Sequence, residues 1–292
     1  MTPQTRLLVI DAYDAAGRES LRQSGATPAG QLYAGVLQNL APDTEVQVIE
    51  AEESGVRLPT GDRLAAWQGI VWTGSNLTIH QPTPAVDRQI ATACDGFTHG
   101  VPQFGSCWAI QLAAVAAGGR CAANPKGREF GIARSIRPTP EGACHPLLSG
   151  RGARYEGLCS HEDMVVELPP GARVLARNDF SDIQALEVRF RSGTFWAVQY
   201  HPEYDFHEVA RLAVLRQQQL IDQKRFADVE DLQRFVADFL TLHQEPHRRD
   251  LLQRHQVSES IHVASVRQLE MQNWLDAQVD ASRNQDENRS VS

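Results

Sequence analysis

Short β-branched runs alternate with longer helix-like stretches in the first part of the chain. Residues 6–11 (RLLVID), 45–49 (EVQVI), 70–73 (IVWT) and 102–106 (PQFGS) read as strands, and 29–40 and 84–98 between them read as helices. That alternation predicts βαβ units with right-handed crossovers, hence an α/β fold with an open, mainly parallel sheet flanked by helices. Residues 108–117 (WAIQLAAVAA) are apolar on nearly every face and are stopped by Gly118 and Gly119. A helix apolar all round is buried, so this one is expected against the sheet, directly after the strand ending near Ser106. From 128 to 200 short strands dominate: 128–136, 163–168, 173–177, 184–190 and 194–200, with Pro169, Pro170 and Gly171 in one of the turns. This is a more β-rich half of the same domain.

After about residue 205 the pattern turns helical and polar. Val229, Leu232, Val236, Phe239 and Leu240 share one helical face, and 259–279 is also expected to be helical. The division that follows is a main domain over 1–204, a helical C-terminal extension over 205–280, and a disordered tail over 281–292 (ASRNQDENRSVS). The extension is either a docking surface or a set of helices packed back on the same domain; ordinary amphipathic spacing favours the second. Segment 14–30, polar and rich in Gly and Ala, follows the first strand. It is either a mobile loop over a ligand site at the strand ends or a surface connection.

Composition narrows the function. Of 292 residues, 28 are Lys or Arg and 36 Asp or Glu, a net charge of −8, with 42% hydrophobic residues. The acidic balance argues against nucleic acid as a partner. No apolar stretch approaches a membrane span of ~20 residues. The run Leu7 to Ile10 is too short for a secretory signal, so a cytoplasmic location is expected. The five cysteines (Cys94, Cys107, Cys121, Cys144 and Cys159) are odd in number and form no CxxC pair, as expected for reduced thiols. His201 and His207 flank acidic residues at a spacing that matches no zinc motif, so no metal is expected.

Chemistry concentrates at Cys107. In 101–111 (VPQFGSCWAIQ) a strand runs into Gly105, then the cysteine, then a helix at once. This is a nucleophile elbow in cysteine form, with small residues, Gly105 and Ala109, on both sides. The helix N-terminus favours thiolate over thiol, and the Trp108 N–H is placed to stabilise an oxyanion. A buried structural cysteine is the competing explanation. Downstream, 195–204 (FWAVQYHPEY) ends a strand at Tyr200 and places His201 and Glu203 around a proline. Extended backbone before Pro202 puts both side chains on one side, so Glu203 can hold one imidazole nitrogen while the other faces a thiol. Nucleophile, proton carrier and orienting carboxylate are what thiol acyl transfer requires.

Together these stretches resemble the class I (triad) glutamine amidotransferases, most closely stand-alone members similar to the amidotransferase domain of GMP synthase. The family pattern Gly-x-Cys-x-Gly-x-Gln is matched by Gly105, Cys107 and Gln111, with Ala109 at its second glycine, and His-Pro-Glu by His201, Pro202 and Glu203. Thr73, Gly74 and Ser75 follow a strand where the family has its second oxyanion donor. Gly118 to Arg120, Asn124 with Pro125, Glu129 with Gly131, and Ser160 to Asp163 occur in family order. The resemblance covers roughly residues 5–204 and implies the family's flavodoxin-like sheet. The departure is Ala109, an alanine where the family has glycine, which puts the glutaminase rate in question, narrows the pocket, or signals a different γ-glutamyl substrate.

The resemblance implies L-glutamine or a γ-glutamyl compound as substrate, with no cofactor. Cys107 is the implied nucleophile, His201 and Glu203 complete the triad, and the N–H groups of Trp108 and of Gly74 or Ser75 hold the oxyanion. Gln111, Ser160, Glu162 and Asp163 are implied substrate contacts, the last three through backbone atoms; His161 either joins them or is a loop histidine bonded to backbone. The chain has no GxxxxGK[ST] loop and no SGGxDS-like loop, so released ammonia would go to an ATP-dependent synthetase on another chain. A γ-glutamyl peptidase with the same triad is the alternative. A non-catalytic regulatory subunit is a third, opposed by the intact Cys107, His201 and Glu203.

Overall fold

The computed structural model describes residues 5–280. The expected tail over 281–292 lies outside the described residues. The chain runs β1 (Arg6–Asp14), α1 (Ala15–Ser24), α2 (Ala29–Leu40), β2 (Glu45–Glu52), β3 (Gly69–Trp72), α3 (Pro84–Thr98), β4 (Gln103–Ser106) and α4 (Trp108–Ala116). It continues through β5 (Arg120–Ala123), β6 (Glu129–Pro138), α5 (Pro140–Ala143), β7 (Tyr155–His161), β8 (Asp163–Glu167), β9 (Ala172–Arg177), β10 (Ala185–Phe190) and β11 (Gly193–Val198). Helices α6 (Phe206–Leu215), α7 (Gln217–Asp222) and α8 (Val229–Gln244) follow, then short turns to Leu269–Trp274.

Nine strands form one open sheet in the order β2-β1-β3-β4-β11-β10-β9-β6-β7, and β5 pairs with β8 separately. The five strands from β2 to β11 are mutually parallel; from β11 to β7 every pairing is antiparallel. The expected open α/β sheet is present, and its parallel character belongs to the half that holds the expected elbow. Two strands escaped the pattern. β5 is four residues long, and β7 (YEGLCSH) breaks its alternation with Gly157 and polar residues. The segment over 14–30 is not a loop: α1 starts at an Asp14 cap that accepts from Gly17 N and ends at Gly25, φ 80°. It went unread because Arg18 and Leu21 are the only residues it buries.

Alternation along β1 explains the two cores. Leu8 and Ile10 face α3 and α4 with Ile70, Trp72 and Ile110, while Leu7 and Val9 face Tyr33, Val71, Phe104 and Trp274. Trp274 is fully buried and packs on Phe104 with ring centroids 5.6 Å apart. Residues 205–280 thus pack back onto the main body, the C-terminal helix closing one face of the sheet. On α8, Leu232, Phe239 and Leu242 are buried, whereas Val229 at its start is exposed. Because β1 and β3 are adjacent while the chain between them departs to β2, the carboxyl edge of the parallel strands carries a topological switch point. Ligands bind at such edges.

Candidate active site

Cys107 follows β4 at that edge with φ 54°, in the left-handed region that a non-glycine residue occupies only when its surroundings enforce it. Its N–H donates to Val198 O of β11 at 2.8 Å, and α4 begins at Trp108. Gly105 is required here, since a Cβ would lie 2.3 Å from Trp72 O and 2.5 Å from the Ala109 methyl. The alanine at the family's glycine position therefore packs against Gly105 in the core beneath the elbow. Ala109 is fully buried and lines no part of the cavity, so its methyl does not narrow the pocket.

His201 follows β11, the strand beside β4. Its Nδ1 lies 2.6 Å from Glu203 Oε1, and its ring stacks on Tyr204 at 3.7 Å. Glu203 Oε1 also accepts from Ser106 Oγ at 2.8 Å, and Ser106 accepts from Tyr33 OH at 2.7 Å. Burial by itself would lower the imidazole pKa. The Glu203 carboxylate, with the hydrogen bonds to Cys107 and Glu203, overrides it and raises His201 to about 9. Gly74 stands at the same point: a Cβ there would lie 3.1 Å from His201 Cε1 and 3.9 Å from Cys107 Cβ. Thiol, imidazole and carboxylate thus stand together at the ends of the adjacent strands β4 and β11. Burial pushes the Cys121 thiol up to about 12 and that of Cys159 well above the ordinary range, which disfavours their thiolates.

In front of the thiol lies a cavity of about 560 Å³. Ser75, Cys107, Trp108, Gln111, Ser160, Glu162 and Asp163 all line it. Ser75 Oγ bonds to Ala12 O and Gln111 Nε2 to Asp163 O. Ser160 O lies 3.8 Å from Cys107 Sγ. His161 contributes to the wall, but its ring is fully buried, with Nε2 2.9 Å from Glu129 Oε2. The loop-histidine alternative does not describe it: it ends β7, and its partner is a carboxylate. Glu162 accepts from Arg128 and Gln223, and Asp163 meets His80 at 3.2 Å.

Several groups here escaped the sequence reading. Tyr33 and Ser106 sit behind the imidazole, while Tyr13, Gly17, Arg128 and Arg216 line the cavity. Ser106 lay inside the elbow stretch and could have been suspected from its place before Cys107. Arg216 carries no local signal, because its partner Ser160 is 56 positions away.

A model of the family described as glutamine amidotransferase class-I matches residues 70–218. The chain is 36% identical over 204 residues to a γ-glutamyl-L-1-hydroxyisopropylamide hydrolase of a Pseudomonas species, covering 68% of this chain and 67% of that one. It is 32% identical over 137 residues to the glutamine-hydrolysing GMP synthase of Thermomicrobium roseum, covering 47% of this chain and 23% of that one. It thus spans about a quarter of the length of the GMP synthases it matches. A glutamine amidotransferase structure from Thermotoga maritima superposes with a TM-score of 0.64 at 13% identity, covering 95% of this chain and 99% of that one. One from Methylobacillus flagellatus gives 0.62 at 17% identity, covering 92% and 95%; both likenesses concern the fold. The elbow, the sheet behind it and these matches lead to one conclusion: the chain belongs to the class-I glutamine amidotransferase family.

Proposed function

We propose that this protein hydrolyses γ-glutamyl amides, L-glutamine being the simplest, through a thioester on Cys107. The observation that carries this reading is the line Cys107–His201–Glu203 at the ends of two adjacent parallel strands, opening on a cavity. Cys107 Sγ attacks the amide carbonyl carbon, and His201 Nε2 takes the thiol proton. Glu203 fixes the tautomer through Nδ1 and stabilises the imidazolium. The N–H groups of Trp108 and of Gly74 or Ser75 hold the oxyanion. The C–N bond then breaks as His201 gives its proton to the leaving nitrogen. Water, deprotonated by His201, attacks the thioester to release the acid and regenerate Cys107. Gln111, Ser160, Glu162 and Asp163 bound the space for the γ-glutamyl group.

The extent of the cavity, from the thiol out to Gly17 and Gln219, supports a leaving group larger than ammonia. So does likeness to the Pseudomonas hydrolase across two thirds of both chains. A second reading, glutaminase passing ammonia to an ATP-dependent synthetase on another chain, is supported by the likeness to GMP synthases. The test is release of acid product from L-glutamine and from γ-glutamyl amides by wild type and Cys107→Ala. Wild type should turn over at least one of them, and the variant should lose at least ~10³-fold. Equal rates overturn the reading. Turnover confined to glutamine, and accelerated by a synthetase, favours the second.

A further inference from the structure

We infer that Arg216, delivered by the junction of α6 and α7, binds the α-carboxylate of the γ-glutamyl substrate and makes a free α-carboxylate a condition of binding; this rests on the hydrolase reading above. Two guanidiniums line the cavity, Arg128 from the start of β6 and Arg216 from the C-terminal helices. Both donate to Ser160 Oγ, Arg128 from 3.5 Å. Glu162 pairs with Arg128. Among the described residues no carboxylate lies within salt-bridge distance of Arg216, so its charge is the uncompensated one. Burial, and then repulsion from Arg216, bring the Arg128 guanidinium down to about 10. Arg128 Nε is buried without a hydrogen-bond partner, an unused donor in a side chain that is 9% exposed at the cavity. Two like charges converging on one neutral hydroxyl gain from an anion placed between them.

Distance along the substrate selects which anion. Ser160 touches Cys107 Sγ with its carbonyl oxygen and both arginines with its hydroxyl. The positive end is therefore one residue's breadth from the sulfur. A γ-glutamyl carbonyl seated on the thiol carries its α-carboxylate a short methylene chain away, on the acyl side of the bond that breaks. A glutamine inside a peptide lacks that carboxylate and should be refused.

The test compares wild type, Arg216→Gln and Arg216→Lys on L-glutamine, on its decarboxylated analogue 4-aminobutanamide, and on γ-glutamylglycine against γ-glutamyl methylamide. Calorimetry of L-glutamate binding to the same proteins reads the site without turnover. Arg216→Gln should lower kcat/KM for L-glutamine roughly 10- to 100-fold, chiefly through KM, and weaken L-glutamate binding in parallel. Arg216→Lys should recover part of the loss, and 4-aminobutanamide should be equally poor for all three. An equal loss on 4-aminobutanamide, or no loss at all, overturns the assignment. So does a loss confined to γ-glutamylglycine, which would place Arg216 on the leaving group. Arg216-dependent binding of L-glutamate by a wild type that hydrolyses nothing would sustain the assignment and sink the hydrolase reading instead.

Discussion

The inner and outer walls of the cavity are held by different physics. The inner wall is backbone geometry: a strand, a left-handed Cys107, a helix start, and a neighbouring strand that delivers His201. The outer wall is assembled from α1, the Ser160–Asp163 stretch and the α6–α7 junction, the last two joined by a hydrogen bond between distant positions and the stretch itself held by a charge pair to Arg128. Backbone geometry is compact in sequence, because a turn needs small residues within a few positions of it. A wall of paired charges has no such locality. On the reading proposed, the chemistry sits where the chain is locally constrained, and the choice of substrate sits where it is not.

The sharpest way to break the inner wall is Glu203→Gln. It keeps the shape while removing the charge that holds His201 up, so turnover should fall by ~10²- to 10⁴-fold with the fold intact. The same variant tests the electrostatics. His201 rises from an ordinary 6.5 to about 9 in the folded protein. Its contribution to stability is therefore complete below about pH 6.5 and lost as pH climbs through 9. Denaturation profiles of wild type should show that decline, and Glu203→Gln should flatten it. Identical profiles in both proteins would mean that the carboxylate does not hold the imidazole.

The same contrast governs what the chain discloses in advance. Strands β1 to β4, helices α2 to α4, and the elbow are readable because their apolar periodicity and small residues lie within short windows. The end of β11 with His201 and Glu203 is readable for the same reason. What stays hidden is long-range: α1 buries only Arg18 and Leu21, β7 has no alternation to follow, and Arg128 and Arg216 meet only at the hydroxyl of Ser160. The sheet's antiparallel half shows as strands, but no local pattern states their order. Trp274 completing the core under β1 and β4 is equally invisible until the fold exists.

Next in size is a break behind the inner wall. Arg151 and Glu270 form a doubly hydrogen-bonded pair, both contacts 2.7 Å, with both side chains almost wholly buried. Glu270 also accepts from Tyr200 OH, next in sequence to His201. Glu270→Ala leaves a buried guanidinium unpaired and should cost ~3–5 kcal/mol in chemical denaturation. Replacing both partners together, Arg151→Met with Glu270→Leu, should recover most of that loss. No recovery would point to a role for the pair beyond charge balance.

A smaller disturbance separates position from stability. In Gly74→Ala the new methyl would stand 3.1 Å from His201 Cε1, so the imidazole must give by a few tenths of an ångström. The fold should lose no more than ~1–3 kcal/mol, the usual range for overpacking. Turnover should fall by ~10-fold or more, because displacement of a reacting group by 1 Å can cost 10². Unchanged turnover would show that the inner wall has slack at this point.

The mildest change reaches the imidazole from behind. Tyr33 OH donates to Ser106 Oγ, which in turn donates to Glu203, so Tyr33→Phe removes the outermost hydrogen bond of the chain and nothing from its shape. Tyr33 is fully buried, and the Ser106 oxygen left behind loses a donor that water cannot easily replace. The loss of one neutral hydrogen bond should cost ~0.5–1.5 kcal/mol of stability. If Tyr33 only fills space, the pH–rate profile should stay where it was. If it steadies Glu203 through Ser106, Glu203 becomes a weaker partner for His201, and the imidazole pKa should fall. The limb of the profile that reports it then moves to lower pH. That shift should be smaller than the one produced by Glu203→Gln but in the same direction, and a shift to higher pH would show that Tyr33 weakens the carboxylate's hold on the imidazole.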